Sequence, residues 1–143
     1  MSRPYVSVHD RQLVIGRAHD RCEYCLSPTA YATESFDIDH IVPLSRGGTT
    51  VVDNLALACS GCNSHKFKRI TALDPIDGVD TPLFHPRQQR WQDHFVWSED
   101  FSEVIGITPT DRATVVALHL NRAGVVSLRR LLRQVGKHPP LPG

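Results

Sequence analysis

Apolar positions at Leu13, Val14 and Ala18 recur with the helical period, and Ser7 or Asp10 offers an N-terminal cap, so a helix is expected to deliver the chain to Cys22. Residues 31–41 alternate instead, with Phe36, Ile38 and His40 on one face and Asp37, Asp39 and Ile41 on the other, the two-residue period of a strand. Pro43 and the Gly47-Gly48 pair interrupt that pattern, and residues 54–58 return as a second short strand, giving a hairpin with a long connection. Residues 62–69 lack Gly and Pro and read as a short helix.

Beyond Thr71 the pattern loosens. Asp74-Pro75-Ile76-Asp77-Gly78 and Thr81-Pro82 read as a turn-rich acidic connector, and the chain is divided there into residues 1–70 and an extension, 71–143, packed on them. Pro86 suits the first turn of a helix through Arg90 and Trp91. Strands are expected at 94–97 and 104–107, then helices starting near Thr110 and Asn121, with Val115, Leu118, Val125, Leu128, Leu131 and Leu132 as apolar stripes.

The 143 residues, 41% hydrophobic and 22% charged, suffice for one compact domain. Sixteen basic residues against fifteen acidic ones leave a net +1, so overall charge gives no argument for a polyanionic partner. Locally the balance is uneven: residues 74–111 carry eight acids and two arginines, residues 122–138 five basic side chains and no acid. A basic helix face of that kind either binds phosphate or is simply solvated or acid-paired. No apolar run approaches the ~18 residues of a membrane span, and the first five residues lack the apolar core of a secretory leader, so a cytoplasmic protein is expected.

In that compartment four cysteines in two C-x-x-C pairs, Cys22/Cys25 and Cys59/Cys62, read as metal ligands before disulfides. Four thiolates suit a tetrahedral Zn²⁺ and leave no open position for water, which makes the zinc structural. Thirty-three residues separate Cys25 from Cys59, more than the ~15–20 of the common two-knuckle zinc site, so the hairpin must lie inside the metal-closed loop.

That hairpin carries Asp39-His40-Ile41-Val42-Pro43, then Gly47-Gly48, Asn54-Leu55, and Cys59-Ser60-Gly61-Cys62-Asn63 with Lys66 close behind. Over about residues 17–69 the combination resembles the HNH endonuclease family in its zinc-bound form. Its three signature positions fall on His40, Asn54 and Asn63, an H-N-N variant. The resemblance implies a ββα-metal hairpin in which Asp39 and Asn63 hold one divalent ion, usually Mg²⁺. It also implies that Asn54 hydrogen-bonds across the connecting loop, and that the bond is cleaved by in-line displacement. The extension is similar to that of some bacterial stand-alone HNH proteins, through Trp91-x-x-His94-Phe95-x-Trp97 among other residues.

The residue types suit these roles. Carboxylate and amide oxygens are hard ligands that leave most of an octahedron to water and phosphate, as Mg²⁺ or Mn²⁺ prefers. A histidine with an ordinary pKa of about 6.5 can take a proton from water at cellular pH. Asp39 and His40 are neighbours on opposite faces of an ideal strand, so both reach one site only if the strand ends at His40. Arg46, Lys66 and Lys68 are candidate phosphate contacts, Asp37 an outer carboxylate or a solvated one, and His65 a further ligand or substrate contact. His85 and His94 read as packing or capping residues.

The sequence thus predicts an α+β fold with a zinc-stapled ββα-metal core, a C-terminal hairpin-and-helices extension, and metal-dependent hydrolysis of DNA phosphodiesters. RNA as substrate, sequence specificity and oligomeric state stay open. The alternatives are a zinc-dependent nucleic-acid-binding module without turnover, and a structural zinc protein that docks another protein through its basic helix.

Overall fold

The computed structural model describes residues 5–141; residues 1–4, part of the stretch read as lacking a secretory leader, lie outside the described residues. Helix α1, Val8–Arg17, opens as expected: Ser7 is extended and its hydroxyl accepts the Asp10 N–H at 3.1 Å. His19 and Asp20, both at positive φ, turn the chain sharply into the first knuckle.

Strands β1, Asp37–His40, and β2, Leu55–Ala58, pair antiparallel, with Asp37 opposite Ala58 and His40 opposite Leu55. The first strand is shorter than the alternation predicts. Residues 29–31 form a helical turn and 32–36 no regular element, because nothing pairs with them; β2 is only four residues long. All four β2 side chains are buried, so this strand forms the floor of the core. Helix α2, Ser60–Lys66, starts two residues earlier than expected, because Cys59 caps it by accepting the Cys62 N–H, and it ends at Phe67, whose φ is +51°.

The region read as an acidic connector is a hairpin. Strands β3, Thr71–Leu73, and β4, Asp80–Pro82, pair across a turn in which Asp74 and Asp77 accept backbone N–H groups. The helix expected from Pro86 shrinks to one turn, α3, Trp91–His94. Strands β5, Phe95–Trp97, and β6, Val104–Gly106, pair antiparallel. Helix α4, Pro109–Ala117, begins where the Asp111 carboxylate reaches back to the Thr108 N–H at 2.8 Å. Helix α5, Ala123–Gln134, follows. Asn121, expected to cap it, bonds instead to the backbone of Val104 through both amide atoms.

One cluster of buried side chains runs through both parts of the chain, including Val14, Tyr24, Leu55, Leu57, Phe84, Phe95, Leu118 and Leu120. The basic residues of α5 are largely turned to internal use. Arg129, 3% exposed, donates to the carbonyls of Cys25, Ser102 and Leu120, and Arg133 donates to that of Asp100. Among the described residues no helix is long and apolar enough to cross a membrane.

Candidate functional site

Tyr24 and Cys25 turn their N–H groups onto Cys22 Sγ, at 3.5 and 3.4 Å, the tight turn expected of a two-residue knuckle. The second knuckle forms the first turn of α2, so Cys59 and Cys62 face the same point. All four sulfurs are buried and lie within 4.8 Å of one another. A tetrahedron of sulfurs about 2.3 Å from its centre has edges of about 3.8 Å. Cys25 and Cys59, at 3.7 Å, fit such an edge, and the donor set suits a zinc-like ion. Hydrogen bonds among the sulfurs, those with Cys22 first, lower Cys25 to about 7 and Cys59 far below the ordinary thiol value, whereas Cys22, through burial, and Cys62 are raised well above it, so an ion entering the cluster displaces protons from the latter pair.

The extension reaches this cluster too. Arg122, which precedes α5, donates to Cys59 Sγ at 3.2 Å and Cys62 Sγ at 3.5 Å. Gly61 makes room for it: a Cβ there would stand 2.5 Å from a guanidinium nitrogen. His65 stacks on His119 of the extension, ring centroids 4.1 Å apart, and does not line the cleft described next.

At the other end of the β1–β2 hairpin lies an open cleft of about 430 Å³, lined by Asp39, His40, Ser45, Asn63, Phe67 and Lys68 among others. The strand does end at His40, and a loop follows at once. Asn54 holds this loop: its Oδ1 accepts the Val42 N–H at 2.9 Å, and its Nδ2 donates to Val42 O and Thr49 O at 3.0 and 2.8 Å. Gly48 is obligatory, since a Cβ would collide with the Val42 carbonyl. The loop in turn brings Thr50 Oγ1 to 2.9 Å from His40 Nε2. Burial, partly offset by Asp39, draws His40 below the ordinary histidine value, which leaves the ring neutral at neutral pH.

Asp39 is 5% exposed. Its Oδ2 accepts the Tyr24 hydroxyl at 2.7 Å, and the Lys66 ammonium lies 3.1 and 3.3 Å from its two oxygens. These donors take about three of the roughly four acceptor positions of a carboxylate, leaving about one for a cation in the cleft. Burial pushes the Asp39 pKa up; Lys66 and Tyr24 pull it back. Asn63 donates its amide to Asp37 Oδ2 at 3.2 Å, which leaves its carbonyl oxygen as the atom suited to a divalent ion.

The three basic candidates separate. Lys66 is 1% exposed and also donates to the carbonyls of His40 and Ile41, so the expectation of a phosphate contact is revised: its charge is spent inside, on Asp39. Lys68 and Arg46 are exposed, and Arg46 Nε donates to Lys68 O at 2.8 Å at the cleft rim. His94 bonds to Asp111 at 2.7 Å, and His85 Nδ1 accepts the N–H groups of Arg87 and Gln88. Sequence reasoning missed Thr50, Tyr24 and Arg122. Only Tyr24, lying between two cysteines of a knuckle, carried a local signal.

Residues 22–69 match the model of the HNH endonuclease family. No curated protein and no solved structure matched the chain. Matched segment and site coincide, since the segment starts at the first knuckle cysteine, encloses the cleft and ends just past Lys68. Over residues 22–69 this chain is thus similar to HNH endonuclease domains, and the four cysteines in that segment are placed to bind a metal.

Proposed function

We propose that this protein is a metal-dependent endonuclease that hydrolyses phosphodiester bonds of DNA in the cleft around His40, with one Zn²⁺ held by the four cysteines. The observation that carries the reading is the convergence of His40, Asp39 and Asn63 on one open cleft, the first two from the end of β1 and the third from α2.

In the tautomer whose Nε2–H donates to Thr50, the contact at 2.9 Å leaves His40 Nδ1 its lone pair to accept a proton from the attacking water. Thr50 fixes the ring, and Asn54 fixes the loop that presents Thr50. Asp39 and Asn63 would hold a divalent ion, Mg²⁺ or Mn²⁺, which when bound supplies charge neutralisation at the phosphate. Lys68 and Arg46 at the rim contact flanking phosphates. Residues 1–70 serve as the nuclease core and 71–143 as its support.

The test is nicking of a supercoiled plasmid with and without Mg²⁺. His40→Ala should lose about 10²- to 10⁴-fold in rate with unchanged folding and DNA affinity. Asn63→Ala should raise the Mg²⁺ concentration needed for half-maximal cleavage, and Asn63→His should shift preference toward Ni²⁺ or Zn²⁺. One observation favours a second reading, a nucleic-acid-binding module without turnover: the Asp39 carboxylate is already paired with Lys66. DNA binding with no nicking by the metal-loaded protein in Mg²⁺ or Mn²⁺ would decide for it.

A further inference from the structure

We propose that a second cavity, apart from the His40 cleft, binds a phosphate group carried by a nucleoside. The cavity has a volume of about 560 Å³ and shares no residue with the cleft. Arg17, Arg21, Arg87 and Arg90 line it against a single carboxylate, Glu23, and Trp91 contributes aromatic surface.

The carboxylate is already committed. One Glu23 oxygen accepts the Leu57 N–H at 2.8 Å and the other pairs with Arg87. Two of the arginines are fixed by neutral partners: Arg17 donates to the carbonyls of Val52 and Leu55, and Arg21 to those of Leu26 and Lys137. Such bonds position a guanidinium without cancelling its charge. Among the described residues three buried side-chain polar atoms have no hydrogen-bond partner, and two of them are Arg17 Nε and Arg87 Nε. Burial, followed by the nearby charge of Arg17, lowers Arg87 to about 10. The lining therefore sets four guanidinium groups against one carboxylate that is already paired, a surplus of positive charge and of N–H donors.

A phosphate meets that surplus with negative charge and acceptor oxygens, and guanidinium groups recognise it through paired N–H bonds. The volume falls in the ~300–1,000 Å³ range of pockets that enclose small organic ligands, so there is room for more than the phosphate. Trp91 gives a planar base or sugar a surface to lie on. The phosphate belongs either to a free nucleotide or to a nucleic-acid strand. The second source rests on the endonuclease reading, the first does not.

Calorimetric titration of the metal-loaded protein with inorganic phosphate, a deoxynucleoside 5′-monophosphate and a short single-stranded DNA tests the site. We expect the monophosphate or the DNA to bind more tightly than inorganic phosphate, and both Arg87→Ala and Arg90→Glu to weaken that binding at least tenfold. Arg90 is exposed, so its variant keeps the fold. Arg130→Glu, an exposed change on α5, should leave affinity unaltered, and His40→Ala should bind like the parent. Tightest binding of the monophosphate names a free nucleotide as the source; binding of DNA alone names the strand. No heat with any probe, or heat unaltered by both cavity variants, overturns the site. Plasmid nicking by a protein that fails these titrations would overturn the cavity and keep the endonuclease; cavity binding without nicking would do the reverse.

Discussion

The cysteine cluster and the His40 cleft sit at opposite ends of one hairpin and are built on opposite plans. At the cluster four identical ligands come from two tight turns, every sulfur is buried, and backbone N–H groups and Arg122 surround them. At the cleft unlike chemical groups meet, Asp39 and His40 from a strand end and Asn63 from a helix, and the one buried carboxylate is shared with an internal ammonium. A closed site needs no room for anything but its ion. An open one must hold its parts rigid from behind, and Asn54, Thr50, Tyr24 and Lys66 do so.

The contrast breaks most visibly by removing the metal. Structural zinc in small domains contributes on the order of 10–16 kcal/mol. Exhaustive chelation, or Cys59→Ser, should abolish cooperative thermal unfolding followed by circular dichroism, and metal analysis of the untreated protein should find about one zinc per chain. A metal-free protein that melts like the parent would mean the cluster staples nothing. Lys66→Met probes the cleft in turn. It strands Asp39 as a buried charge, and loss of one partner of such a pair costs about 3–5 kcal/mol. Urea denaturation measures that loss; an unchanged midpoint would show that Asp39 does not depend on the ammonium.

Smaller effects sharpen the picture. Arg122→Ala should hasten metal release to a chromogenic chelator by about 10- to 100-fold, the usual cost of losing a partner that orients metal ligands, with partial rescue by Arg122→Lys. Equal release rates would detach the extension from the cluster. Asp74, bound to Arg112 at 2.6 and 2.9 Å, gives a baseline outside both regions. The hydrogen bonds from Arg112, with Asp74's other partners, hold its carboxyl at about 2, below the ~3.9 of an unfolded chain. The stabilisation is complete above about pH 4 and is lost as pH falls toward 2. Asp74→Asn should therefore be less stable than the parent at pH 7, and denaturation curves at successively lower pH should converge.

The same contrast governs what could be read from the chain. The cysteine cluster was legible because each C-x-x-C pair is a local spacing, and short spacings likewise show where Asp39, His40 and Asn63 meet at one cleft and Asn54 lies behind its loop. Lys66 was misread as a phosphate contact, because adjacency in sequence does not reveal that α2 turns it under β1. Thr50 and Arg122 left no signal: their partners lie ten and some sixty residues away, across tertiary contacts. The β3–β4 hairpin was missed because strands of three residues joined by Asp-Pro and Asp-Gly look like turn sequence throughout. The five basic residues of 122–138 looked like a single charged face, whereas Arg122, Arg129 and Arg133 spend theirs on sulfur and carbonyl oxygens.

Gly61 ties this domain to its own C-terminal half in a way that reaches into heredity. Its missing side chain is filled by the guanidinium of a residue far along the chain, so neither position is free to drift alone. Any side chain at 61 must displace the Arg122 guanidinium from its present place. Descendants of this sequence should keep Gly61 and Arg122 together or abandon them together, and a relative that shed the extension should carry an ordinary residue between its second pair of cysteines.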